Sequence, residues 1–154
     1  MDQLFGSLYC LFGLDQFYGL DLANYLWGQT SSIVTTNQFI GIGLIMLGIS
    51  LAMVLIFYYA VDHPKLDNWW GWGIFLVVNA IINFFVGWNW VLSDYYAGKM
   101  IFLDPATNLD TPLPIYKSNL LCFGVVNMLL SVFAFIIFSL IFKWGSRNCN
   151  RAPF

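Results

Sequence analysis

The side chains that could do chemistry in this chain are few and far apart. The one histidine, His63, lies between Asp62 and Asp67, so a metal site there would need one imidazole and carboxylate ligands. A histidine in such a sequence is more often a solvated turn residue than a metal ligand. We therefore predict no metal site and no cofactor.

The cysteines give no sign of a redox or metal-binding motif. Cys10, Cys122 and Cys149 show no C-x-x-C spacing, and by default they are small buried hydrophobes. The sequence does not decide whether Cys10 and Cys122 are in contact. The chain also has no P-loop, dinucleotide fingerprint, nucleophile elbow or metalloprotease motif. We predict that the protein is not an enzyme.

Amide side chains inside apolar sequence are the best functional candidates. Asn79 and Asn83 are four residues apart, so they project from one face of a helix. Asn127 and Ser131 show the same spacing further along the chain. An amide in hydrocarbon must find a hydrogen-bond partner, so these side chains either join helices or line a polar pore. We favour the first role.

Three apolar windows must position these side chains: 39–60, 70–92 and 120–142. Each is long enough for a helix that crosses the roughly 30 Å hydrocarbon core of a bilayer. The composition agrees, since 60% of the residues are apolar and only 9% are charged. We predict an all-α integral membrane protein with three transmembrane helices, in which residues 1–154 form a single membrane domain.

Small residues recur on these helices and predict close packing between them. The seams that they form contain Gly41, Gly48 and Ala52 on the first helix, Gly73, Ala80, Asn83 and Gly87 on the second, and Gly124 beside Asn127 and Ser131 on the third. No Asp, Lys, Arg or His lies within the three windows. A proton-coupled transporter commonly needs such a group, so this class is disfavoured.

The N-terminal segment, 1–37, has no basic region and is not a signal peptide. Its apolar residues recur at helical spacing, which predicts two short amphipathic interfacial helices with breaks near Gly13 and Gly19. The segment has no Lys or Arg for anionic lipid, so it docks either on a partner or on its own spans. Its candidate partner contacts are Phe5, Leu8 and Phe12.

Two further segments lie outside the predicted spans. Residues 94–117 combine apolar runs with Pro-rich turns, which predicts a short exterior flap or β-hairpin. The tail, 143–154, is too short to fold alone, and Arg151 and Phe154 are candidate partner contacts in it.

The distribution of basic residues predicts how the chain is oriented. Four of them fall on the side of the tail (Lys65, Lys143, Arg147 and Arg151) and two on the other side (Lys99 and Lys117). The positive-inside rule then places the C-terminus in the cytoplasm and the N-terminus outside. We expect a bacterial inner membrane.

These features predict a non-catalytic membrane subunit that anchors or braces a larger assembly, such as an envelope-spanning or secretion machine. Its partners are the lipid bilayer and either other membrane subunits or copies of itself. A net charge of −2 with six Lys and Arg argues against nucleic acid. One alternative is a homo-oligomeric channel or holin-like pore lined by the asparagines. Another is an immunity protein against a membrane toxin.

Overall fold

The computed structural model describes residues 2–31, 33–60, 69–104 and 109–143, and the fold is mostly helical. Three of its helices are long and apolar enough to cross a membrane, with mean hydropathies of 2.7, 1.8 and 2.6. The prediction of three such helices is confirmed for the described residues. Their bounds are α4 at Gln38–Leu55, continued by a π-helical turn at Ile56–Ala60, α5 at Trp69–Tyr96 and α6 at Lys117–Lys143.

The described part of the N-terminal segment contains three short helices, whereas the sequence predicts two. They are α1 at Asp2–Tyr9, α2 at Leu14–Tyr18 and α3 at Leu20–Leu26, with a 3₁₀ turn at Leu11–Gly13 between the first two. The breaks fall at Gly13 and Gly19, whose φ angles are +76° and +97°. Glycine takes such left-handed conformations without the steric cost that a Cβ brings, and they end the helices on either side.

This segment lies on the chain's own long helices. The ring of Phe5 fills the space beside Gly43 of α4, where an added Cβ would be 2.3 Å from the ring. Tyr9 stacks on Phe39 of α4 and Phe123 of α6, with ring centroids 5.2 and 5.6 Å apart. The sequence left open whether this segment docks on a partner or on the chain's own spans. In the structure it packs on the chain's own spans.

The turn at the end of α1 reaches well along the long helices. Phe12 lines an apolar groove of about 400 Å³ together with Met46 and Leu129. At 1.5 Å per residue, Met46 lies about 12 Å from the start of α4, and Leu129 about 18 Å from the start of α6. The N-terminal segment therefore runs beside these helices and does not only cover their ends.

The connection between α5 and α6 forms a β-hairpin, one of the two forms predicted for it. Strand β1 at Ile101–Leu103 pairs antiparallel with β2 at Asp110–Pro112. Beyond the strands the Leu113 amide donates to the Met100 carbonyl at 2.9 Å, and both side chains are buried in the core. Residues 105–108, between the strands, lie outside the described part of the chain.

Candidate functional site

The four polar residues predicted from the sequence are buried on α5 and α6, where Ser131 accepts from Asn79 through its backbone carbonyl and its hydroxyl donates to the Met128 carbonyl at 2.7 Å. We call Asn79, Asn83, Asn127 and Ser131 the amide ladder. All four residues are 0% exposed. Each helix contributes two of them at a spacing of four residues, so each pair shares one helix face.

Hydrogen bonds of the ladder run both between α5 and α6 and along α5. Asn79 Nδ2 donates to the Ser131 carbonyl at 3.1 Å, and Asn127 Nδ2 donates to the Asn83 carbonyl at 2.6 Å. Both of these bonds cross from one helix to the other. Along α5, Asn83 Nδ2 donates to the carbonyl and to Oδ1 of Asn79, at 3.0 and 3.1 Å. The amides therefore bond mainly to backbone oxygens of the neighbouring turn or helix.

Tyr9 extends the ladder into the N-terminal segment. Its hydroxyl donates to Asn127 Oδ1. Burial raises the pKa of the Tyr9 phenol above its usual range, so the hydroxyl keeps the proton that it donates. Sequence reasoning missed this residue. The only available signal was a polar hydroxyl within an otherwise apolar helical stripe.

Two glycines bring the backbones of α5 and α6 close enough for short amide side chains to reach across. A Cβ added at Gly87 would lie 2.8 Å from the Asn127 Cβ. A Cβ added at Gly124 would lie 3.0 Å from the Trp88 Cβ and 3.2 Å from the Phe84 carbonyl oxygen. Larger residues at either position would push the helices apart and lengthen the ladder's hydrogen bonds.

The other predicted seam glycines play a smaller part within the described chain. Gly41 faces the Trp90 ring, where an added Cβ would be in ordinary contact at 3.5 Å. Added Cβ atoms at Gly48 and Gly73 would meet nothing within 4 Å among the described residues, so the packing role predicted for these two glycines stays a prediction. The stripe that α4 buries within this chain does not include Gly48 and consists of Phe39, Ile42, Gly43, Met46, Ser50 and Val54.

A second polar cluster, which we call the Asp94 clasp, lies at the end of α5. Asp94 is 6% exposed and accepts three hydrogen bonds. Its Oδ2 accepts from the Tyr25 hydroxyl at 3.0 Å and from Gln38 Nε2 at 2.9 Å, and its Oδ1 accepts from Lys99 Nζ at 2.7 Å. Trp90 Nε1 completes the clasp by donating to Gln38 Oε1 at 2.9 Å.

The clasp joins four segments: α3, α4, α5 and the loop that follows α5. Burial and the nearby Asp94 carboxylate raise the pKa of the Tyr25 phenol above its usual range, so Tyr25 stays a donor. From the sequence, Asp94 marked only the end of the second span. The ion pair with Lys99 is local in sequence and was within reach of prediction, but the contacts of Tyr25 and Gln38 depend on the tertiary fold.

The residues predicted to contact a partner fall into three groups. Phe5 is 5% exposed and packs against Gly43 of this chain, and its role as a partner contact stays a prediction. Leu8 is half-buried, and Phe12 is 96% exposed with an unusual φ of +56°. Arg151 and Phe154 lie outside the described residues.

The described residues contain no group of three metal-ligating side chains, and Cys10 and Cys122 are free thiols. His63 and Cys149 lie outside the described part of the chain. The arrangement can hold helices together, because the amide donors of the ladder are bonded to oxygens of α5 and α6. No protein-family model matches the chain, and no curated protein or solved structure is significantly similar to it.

Proposed function

We propose that this chain is a non-catalytic integral membrane subunit that braces a larger membrane assembly, such as an envelope-spanning or secretion machine. In this proposal it lies in a bacterial inner membrane with its N-terminus outside and its C-terminus in the cytoplasm. The observation that carries the proposal is the amide ladder, in which Asn79 and Asn127 bond from helix to helix and all four residues are 0% exposed.

A carrier or an enzyme needs polar groups that face a ligand. The ladder offers none to the outside, because its amide donors are bonded to oxygens of α5 and α6. Two grooves on the described surface, one of them beside Trp70 and Gly73 and the other beside Phe12, are lined by apolar side chains. These surfaces suit lipid or another apolar helix better than a polar substrate.

Phe12 supports the part of the proposal that concerns a partner. A bulky residue with positive φ is a genuine outlier, and strain of this kind is retained where it serves a function. Here it holds a ring that is 96% exposed at the edge of an apolar groove. The partner that we propose there is another membrane subunit or a second copy of this chain.

The pore alternative receives less support from the geometry. It requires the ladder to face a lumen between copies, whereas all four side chains are enclosed within one chain. A lumen lined by them would need α5 and α6 to separate and to lose both bonds that cross between them. No specific contact favours the immunity-protein alternative over the proposed bracing role.

Isolation of the tagged full chain from its native membrane in mild detergent tests the proposal. We expect a stable complex with other membrane proteins or with further copies, measured by native mass spectrometry and by identification of the components. A lone monomer under these conditions would contradict bracing. Bilayer recordings of the purified chain form the second arm, in which single-channel conductance would favour the pore.

A further inference from the structure

The interior of the helix bundle contains two polar atoms that have no hydrogen-bond partner among the described residues. They are Ser50 Oγ on α4 and Asn83 Oδ1 on α5. Both residues are 0% exposed. A buried polar atom without a partner carries the full penalty of losing its water, so such atoms in a native protein call for a physical explanation.

The register of α4 and α5 places these two atoms at similar depth. Gly41 lies beside Trp90, which fixes where the two antiparallel helices meet. A helix rises 1.5 Å per residue, so Ser50 lies about 14 Å along α4 from the level of Gly41. Measured in the same direction from Trp90, Asn83 lies about 11 Å and Asn79 about 17 Å along α5. Ser50 therefore lies between the levels of the two asparagines.

Ser50 also faces the correct side of its helix. It belongs to the buried stripe of α4, four residues from Met46 on one side and from Val54 on the other. This stripe faces the core, and α4 contacts both α5 and α6. The serine thus points to the same interior region as the ladder, although no hydrogen bond joins Ser50 to it among the described residues.

We propose that an ordered water molecule binds in the bundle interior between Ser50 Oγ and Asn83 Oδ1. The amide oxygen of Asn83 only accepts, so it needs a donor, and a water molecule supplies one. The Ser50 hydroxyl can donate to the same water or accept from it. Buried waters typically make about three hydrogen bonds to groups that would otherwise be unsatisfied.

A cation fits this position poorly. Both unpartnered atoms are neutral oxygens, and the amide ladder contributes only uncharged side chains. A buried cation needs a compensating charge, and the Asp94 carboxylate already binds Lys99 at the end of α5. Water is therefore the ligand that the chemistry favours.

The proposed water gives α4 a polar connection at mid-length. The ladder joins α5 to α6, and the side-chain hydrogen bonds of Gln38 join α4 to α5 only at one end. A water bound by Ser50 and Asn83 would connect α4 to the other two helices near their middle.

Replacing Ser50 by Ala distinguishes a hydrated hydroxyl from an unsatisfied one. With the water present, Ser50→Ala removes one of its partners, and we expect the apparent Tm of the full chain in detergent to fall by about 2–4 °C. Without the water, the same change removes a buried unsatisfied group, so an unchanged or higher Tm would overturn the proposal. Ser118→Ala, at an exposed serine at the start of α6, is the matched control and leaves the Tm unchanged.

A double-mutant cycle tests whether Ser50 acts through the same water as Asn83. In an Asn83→Ala background the water has lost its acceptor, so we expect Ser50→Ala to cause no further fall in Tm. Equal falls in both backgrounds would overturn the proposal.

Because Asn83→Ala also removes the donor to Asn79, a direct measurement on the unmodified protein accompanies the cycle. We expect a structure of the full chain in lipid nanodiscs to show solvent density about 2.6–3.2 Å from both oxygens. A structure with Ser50 Oγ bonded to a helix carbonyl and no density between the two atoms would overturn the proposal.

Discussion

Gly87 of α5 lies so close to Asn127 of α6 that a Cβ on the glycine would be 2.8 Å from the asparagine Cβ. The same asparagine donates to the Asn83 carbonyl at 2.6 Å, one turn along α5. The close contact and the hydrogen bond therefore depend on each other. At this level of the helix pair, a glycine lets the two helices approach so that the short amide of Asn127 reaches a backbone oxygen of α5.

This relationship predicts opposite effects of alanine at two glycines. Gly87→Ala forces α5 and α6 apart, and we expect it to destabilise the chain by about 1–3 kcal/mol. Gly48→Ala meets nothing within 4 Å in this chain and should stabilise α4 by up to about 1 kcal/mol. Thermal unfolding in detergent, followed by tryptophan fluorescence, measures both changes. Equal effects of the two substitutions would show that Gly87 does not set the distance between the helices.

The ladder itself predicts a contrast between two asparagines on α5. Asn79→Leu removes the donor to the Ser131 carbonyl and the acceptor for Asn83, so we expect a loss of about 1–2 kcal/mol. Asn89 is the matched control, because it is exposed and donates only to the Phe85 carbonyl of its own helix. Asn89→Leu should leave the unfolding temperature unchanged or raise it. A smaller loss at Asn79 than at Asn89 would contradict a stabilising role for the ladder.

The long helices could be predicted from sequence because hydropathy and the absence of charge are local properties. The windows 39–60, 70–92 and 120–142 differ by at most a few residues from the helices that the structure shows. The spacing of Asn79 and Asn83 likewise fixed their shared face. Their partners could not be predicted, since the register of α5 against α6 decides that Asn79 meets the Ser131 carbonyl.

Apart from the local ion pair of Asp94 with Lys99, the Asp94 clasp could not be predicted from sequence for the same physical reason. Tyr25, Gln38, Asp94 and Lys99 span three separate stretches of chain, and only the fold of the N-terminal segment onto α4 and α5 brings them together. The exposed conformation of Phe12 was equally inaccessible. Its helical spacing from Leu8 predicted a continuing helix, whereas its φ of +56° belongs to the turn that ends it.

The clasp predicts that Asp94 holds the N-terminal segment in place. Asp94→Ala leaves the hydroxyl of Tyr25, the amide of Gln38 and the ammonium of Lys99 without their acceptor, so we expect a loss of about 2–3 kcal/mol. Hydrogen exchange of residues 20–31 should become faster. Asp21→Ala, at an exposed aspartate of α3, should leave exchange unchanged. Unchanged exchange in Asp94→Ala would show that the clasp does not hold α3.

The buried tyrosines predict a loss of stability at alkaline pH. Burial raises the pKa of Tyr9, Tyr18 and Tyr25 above the usual value near 10. Above that value the unfolded chain loses phenol protons that the folded chain retains, so the free energy of unfolding falls as pH rises further. These three phenols should therefore have little effect on the unfolding temperature between pH 7 and 9. Above about pH 10 they should lower it.

Tyr25→Phe should make this alkaline fall less steep, because one of the three groups no longer titrates. The unmodified protein is the control. Unfolding temperatures measured between pH 7 and 11 provide the comparison. A slope that Tyr25→Phe leaves unchanged would exclude Tyr25 as a contributor.

Phe12 predicts that stability and partner binding can be separated. Glycine adopts a φ of +56° without the strain that a Cβ causes, and the ring contributes little burial at 96% exposure. We expect Phe12→Gly to leave the unfolding temperature of the isolated chain unchanged or to raise it, with relief of up to about 1–2 kcal/mol. Phe17→Gly serves as the contrast, because Phe17 lies within α2, where glycine costs about 0.5–1 kcal/mol.

The same Phe12→Gly variant should lose yield of the complex isolated in mild detergent, because the exposed ring is the proposed contact with the partner. Retained stability together with reduced complex would mean that the strained turn serves association and not folding. Full recovery of the complex by Phe12→Gly would remove this residue from the partner surface.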